Sequence, residues 1–151
     1  MSIYTKLQQL DISLPPVAVP VAAYVPFVQT GNLIFLSGQI AKKNGQAWVG
    51  QLGATISVED GKLAARAAIV DLLGTLHAAT GNLDRVKRIV KLTSLVNSTS
   101  VFTDHHLVTN GASELLVEVF GEVGAHARAA LGVAQLPFGA CVEIDLIAEI
   151  E

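Results

Sequence analysis

The chain is 151 residues long, with 51% hydrophobic, 15% charged and 5% aromatic residues and a net charge of −3. That length fits one domain able to bury a core without staples, and so apolar a chain with so little charge is not a disordered one. The acidic pI of about 5.8 disfavours nucleic acid or an anionic membrane as main partner, and a single cysteine, Cys141, allows neither an internal disulfide nor a structural zinc site. The apolar mass is Ala, Val, Leu and Ile, more than one small domain hides, which points to a homo-oligomer. Residues 12–41 carry no charge, but Pro15, Pro16, Pro20 and Pro26 break any membrane span there. No basic stretch followed by an apolar core marks a signal peptide, and the lone cysteine suits a reducing compartment, so a cytoplasmic protein is expected.

In chain order, residues 2–10 fit a short helix with Ile3, Leu7 and Leu10 on one stripe, and the proline-dense stretch to Pro20 should be extended, so that residues 1–20 form a lead-in. Tyr24-Val25-Pro26-Phe27-Val28 reads as an edge strand, which tolerates proline. After a turn at Thr30-Gly31-Asn32, residues 33–36 are apolar on both faces, as in a strand covered from two sides. Residues 42–46 read as a turn and 47–50 as a segment pairing back. Residues 57–80 are the clearest helix: Ser57 caps it, Glu59 and Asp60 suit its first turn, and Ala65, Ala68, Ile69, Leu72, Leu73 and Leu76 make the stripe. Gly81-Asn82 stops it. Residues 86–96 should be a central strand, and a second helix runs from a Thr103 or Asp104 cap to Phe120, with Leu107, Leu115, Val119 and Phe120 inward. Two strands follow, 126–135 and 142–150. In the second, even positions are apolar and Glu143, Asp145 and Glu149 lie on the other face. The order predicts an α+β fold: a mixed β-sheet with two helices packed on one face, its other face covered by another copy of the chain.

Arg128 sits mid-strand among small residues, opposite in parity to Ala127, Ala129, Leu131 and Val133. Its planar fork suits a carboxylate ligand; a structural pairing with Glu143 or Asp145 is the plain alternative. Glu143 and Asp145 point the same way, about 6.5–7 Å apart, and either hold a water and move a proton or form a solvated face. Asn110 and Ser113 flank Gly111 on the second helix, as ligand-orienting groups or simple surface. His105 and His106 are adjacent, lack the i, i+4 spacing of a metal pair and read as surface residues. His77 reads as structural, His126 as a weaker site candidate and Cys141 as a small buried group. The basic cluster Arg85, Lys87, Arg88 and Lys91 lacks interleaved aromatics and reads as a solvated strand end.

Gly31-Asn32-Leu33-Ile34-Phe35-Leu36-Ser37-Gly38-Gln39 resembles the G-N-x-h-x-x-S-G-Q segment of the RidA family (also called YjgF, or L-PSP endoribonuclease-like), h being apolar. Ala127-Arg128 through Leu136-Pro137, then Val142-Glu143-Ile144-Asp145, resembles its A-R-x-x-h-x-V-x-x-L-P-x-x-x-x-h-E-[IV]-[ED] signature. Asn110 fits the asparagine of the family's second helix, and the Asn110-Gly111-Ala112-Ser113 run and proline-rich lead-in look like the chorismate-mutase-like subgroup. The resemblance covers residues 24–150 of what reads as one RidA-like domain. It implies a chorismate-mutase-like homotrimer with sites between subunits, and hydrolytic deamination of enamine or imine intermediates such as 2-aminoacrylate to 2-keto acids and ammonia, with no metal or organic cofactor. It assigns the substrate carboxylate to Arg128, further binding positions to Tyr24, Ser37 and Asn110, and the water-orienting acid to Asp145, where the family has a glutamate; Glu143 is the substitute acid. Ala130 stands where many members have cysteine. The rival readings are a non-catalytic small-carboxylate-binding trimer and, below it, an endoribonuclease or a chorismate mutase.

Overall fold

A computed structural model describes residues 1–17 and 22–151; the end of the proline-rich lead-in expected to reach Pro20 lies outside the described residues. Helix α1 (Ile3–Gln9) is capped by Ser2 and held by a bond from the Ile3 N–H to Asp84 (2.8 Å). Tyr4 reaches across to His77 Nδ1 (2.8 Å), so His77 ties the first helix down, as the structural reading expected.

Five strands form the main sheet: β1 (Phe27–Thr30), β2 (Leu33–Ile40), β5 (Val86–Asn97), β6 (Ala127–Val133) and β7 (Val142–Ile150), in the order β1-β2-β7-β5-β6. Two short strands, β3 (Lys42–Lys43) and β4 (Gln46–Ala47), form a separate hairpin. β7 runs antiparallel to both neighbours, so β2 and β5 point the same way, and β6 is parallel to β5. The connections β2→β5 and β5→β6 therefore step in one direction across parallel strands. Right-handed crossovers put both connecting helices, α2 (Val58–Thr80) and α3 (His105–Phe120), on the same face.

The core lies between those helices and the sheet. In α2 the expected stripe is buried throughout, with Ser57 Oγ accepting from the Asp60 N–H (3.1 Å) and Gly81 closing the helix in the left-handed region. By length and composition α2 alone among the described helices matches a membrane span, yet its stripe packs on β7 and α3. In α3 the stripe runs through Val108, Ala112, Leu115 and Val119, and Leu107, expected inside, is exposed: the 3.6-residue turn places 108 rather than 107 in line with 112. α2 and α3 touch where Gly111 meets the Lys62 carbonyl, so closely that a Cβ would overlap it.

The even positions of β7 are buried under the helices. The opposite face is open in the single chain: Val28, Phe35 and Leu131 are 54%, 41% and 42% exposed. The two-sided cover expected for residues 33–36 is thus absent from the subunit itself. The first strand begins at Phe27 rather than Tyr24, because Pro26 has no N–H and the carbonyls of Val25 and Pro26 are taken by Ser37.

Candidate active site

The site residues fall into two groups. The first is at the edge strand β6. Arg128 lies opposite Leu92, which is buried against the helices, so the guanidinium projects to the helix side. Its Nη1 donates to Ser113 Oγ (3.0 Å) and Nη2 to the His106 carbonyl (3.2 Å). A guanidinium has five N–H donors; with two engaged, three are left for a ligand. No carboxylate among the described residues pairs with Arg128, so neither Glu143 nor Asp145 is its structural partner. His106, Asn110 and Ser113 are spaced i, i+4, i+7 and share one face of α3, which sets Asn110 between the two groups that hold the arginine. Ser113 also bonds His126 Nε2 (2.8 Å), and His126 Nδ1 bonds the Gly124 carbonyl (2.7 Å).

The second group surrounds a register shift in β2 between Leu36 and Gln39. There Ser37 donates its hydroxyl to the Val25 carbonyl (2.5 Å) and its N–H to that of Pro26 (2.9 Å), which brings Tyr24, 47% exposed, beside the strand. Glu143 packs on the bare backbone of Gly38: a Cβ there would stand 3.2 Å from the Glu143 carboxyl carbon. Burial raises the Glu143 carboxyl pKa, and the nearby Asp145 charge raises it further. Asp145 lies opposite Thr93 on the open face; burial lifts its pKa, while the Thr93 hydroxyl and Lys91 pull it down. The register sets Asp145 across from the Ser37-Gly38 bulge, and Glu143 reaches back along the same face onto Gly38, so both acids border the Ser37 group and Glu143 is the one in contact with its backbone.

One chain does not join the two groups. Arg128 is on the helix side of the sheet, Glu143 and Asp145 on the open side. With strands about 4.8 Å apart, β6 is also about 10 Å from β7 and about 14 Å from β2. Sequence reading missed the Ser113 and His106 holds on Arg128, which depend on packing between α3 and β6, and the close approach of Glu143 to Gly38, whose only trace is the glycine in Ser37-Gly38-Gln39. His105, expected at the surface, bonds Ser98 Oγ (3.0 Å) and packs edge-on against Phe102. Cys141 is buried as expected, its thiol pKa pushed up to about 11 chiefly by desolvation.

A sheet of this order, with both helices on one face and these residues on β2, α3, β6 and β7, is the class that the comparisons identify. The profile of the family described as "YjgF/chorismate mutase-like, putative endoribonuclease" matches residues 5–150, and the chain belongs to that family. Among relatives, Protein TCP17 of Trypanosoma cruzi is 51% identical over 146 residues, 95% of this chain and 91% of its own length. Atu1372 of Agrobacterium tumefaciens, a crystal structure of unknown function, is 43% identical with a TM-score of 0.91, over 99% of this chain and 92% of that one. A Shewanella oneidensis crystal structure called "a putative endoribonuclease" is 32% identical with a TM-score of 0.95, over 99% and 100%.

Proposed function

We propose that this protein hydrolyses reactive enamine and imine intermediates, such as 2-aminoacrylate, to 2-keto acids and ammonia, in a homotrimer whose sites lie between subunits. The observation that carries the reading is Arg128, half-buried, held in place by a hydroxyl and a carbonyl, and without a carboxylate partner among the described residues. Such a cation is set for a bidentate carboxylate. The β6 edge of one subunit would meet the Tyr24, Ser37 and Glu143 group of a neighbour, completing what one chain leaves divided. We place the reaction in the cytoplasm, where Cys141 stays a thiol.

With the carboxylate on Arg128, transfer of a proton from solvent to the enamine methylene carbon gives the iminium. Glu143 takes a proton from water as the oxygen bonds to C2 and the C=N π pair moves to nitrogen. The protonated Glu143 then gives that proton to the amine, the C–N bond breaks, ammonia leaves, and the hydroxyl proton passes to solvent, replacing the one taken up at carbon and yielding the keto acid. A carboxyl pKa raised by burial makes Glu143 a better proton acceptor than an ordinary carboxylate, as the first of these transfers requires. Asp145, first expected to hold the water, contributes in this scheme by keeping the Glu143 pKa up.

A non-catalytic carboxylate-binding role is the second reading, favoured by an Arg128 group that is complete without any acid. The endoribonuclease description of the family draws no support from the net charge of −3 or from carboxylates on the open face. The test generates 2-aminoacrylate or 2-iminobutyrate in situ with semicarbazide as trap. Wild type should deplete the trapped product and Arg128→Ala should not. Equal trapping with and without protein, alongside a melting temperature raised by 2-ketobutyrate, would leave binding alone.

A further inference from the structure

With the His126 imidazole carrying one proton, the polar groups behind Arg128 form a chain whose hydrogen bonds run in one direction. The Gly124 carbonyl only accepts, so His126 Nδ1, 2.7 Å away, carries the ring proton. In the neutral ring Nε2 is then an acceptor, and the Ser113 hydroxyl at 2.8 Å donates to it. Having committed its single proton to His126, Ser113 presents lone pairs to Arg128 Nη1 at 3.0 Å. Turned the other way, the hydroxyl would set a donor against a donor.

We propose that His126 is a positioning residue that, by fixing the Ser113 hydroxyl, holds the Arg128 guanidinium in the orientation that receives the substrate carboxylate. The inference rests on the carboxylate role of Arg128. Of the two acceptors gripping the guanidinium, the His106 carbonyl is set by the helix backbone, whereas the Ser113 hydroxyl is a free rotor until His126 engages it. Gly124 is itself fixed, packed so tightly on α3 that a Cβ would overlap the Leu116 carbonyl. The orientation of the arginine is thus set from the backbone outward, through imidazole and hydroxyl, without a carboxylate that would compete with the substrate for it.

Arg128 grips the carboxylate alike in ground and transition states, so loosening it raises KM and leaves kcat nearly as it was. His126→Ala and Ser113→Ala should each raise KM about tenfold with kcat within about twofold. His126→Gln, whose amide oxygen can serve as the acceptor in place of Nε2, should recover most of that loss. A merely structural role would lower kcat through the active fraction at unchanged KM, and glutamine would not rescue it. Nitrogen NMR of the wild-type imidazole should show the proton on Nδ1, and Arg128 N–H signals protected from exchange should lose protection in His126→Ala. A proton on Nε2, or unaltered KM and Arg128 signals in the alanine variants, would overturn the proposal. If the wild type turns over no imine, 2-ketobutyrate affinity replaces KM and the NMR arm still decides, so failure of the deaminase reading and failure of this one are told apart.

Discussion

Replacing Arg128 by lysine keeps the charge and removes the fork. An ammonium cannot donate to Ser113 and His106 and still present a planar pair of N–H groups to a carboxylate. Losing a desolvated charge partner outright costs about 2–5 kcal/mol, so Arg128→Ala should lower kcat/KM by at least about 30-fold in the trapping assay, and Arg128→Lys, which restores the charge without the fork, should recover little of it. Glu143→Gln should abolish turnover while 2-ketobutyrate still binds; Asp145→Asn should retain the larger part of activity, and the reverse ranking would return the water-holding role to Asp145. Gly38→Ala should move the Glu143 carboxylate by a few tenths of an ångström and reduce kcat with little change in melting temperature. Much at this scale was legible in the chain. The alternation of β6 put Arg128 opposite Ala127 and Ala129, and that of β7 put Glu143 and Asp145 together. What holds Arg128 was not, because Ser113 is fifteen residues away on another element and no local pattern encodes their approach.

Helices α2 and α3 show how close packing depends on one missing side chain. Gly111→Ala would drive a Cβ into the Lys62 carbonyl, a backbone atom that yields only if the helices part. The cost should be about 1–3 kcal/mol, the usual range for overpacking, read as a lower urea midpoint at unchanged m-value. Asp71 on α2 makes a pH-dependent case. It borders Pro15, Pro16 and Lys42, and burial raises its carboxyl pKa, with Lys42 partly offsetting. With the folded value above the unfolded one, the folded chain keeps a proton that the unfolded chain has lost, so stability falls as pH rises through that window. Asp71→Asn should therefore melt higher than wild type near pH 7, with the gain fading as pH falls through the unfolded value of about 3.9 and gone well below it, where both states are protonated. The elements themselves were readable wherever period and cap agreed, as from Ser57 to Gly81. Errors came where a proline or a one-residue shift decided: β1 starts three residues later than Tyr24, and Val108 takes the inward place given to Leu107.

At the scale of the molecule, the excess of apolar residues in the sequence has its counterpart in an open sheet face bearing Val28, Phe35 and Leu131. If neighbouring subunits complete each site, two inactive proteins should cure each other. Arg128→Ala and Glu143→Gln trimers, dissociated and reassembled together in equal amounts, should regain about a quarter of wild-type activity, since half the subunits carry each intact group and a site needs one of each. No recovery from mixed trimers would place the whole site within one subunit.

If the site is shared between subunits as proposed, the separation of Arg128 and Glu143 onto two sides of one sheet also makes dilution a form of inhibition. A lone subunit carries both groups and joins neither, so turnover per chain would collapse once concentration drops below the level that sustains assembly. A newly made chain would stay silent until it found company, and a cell would tune clearance of these intermediates more steeply than in proportion to the protein it makes.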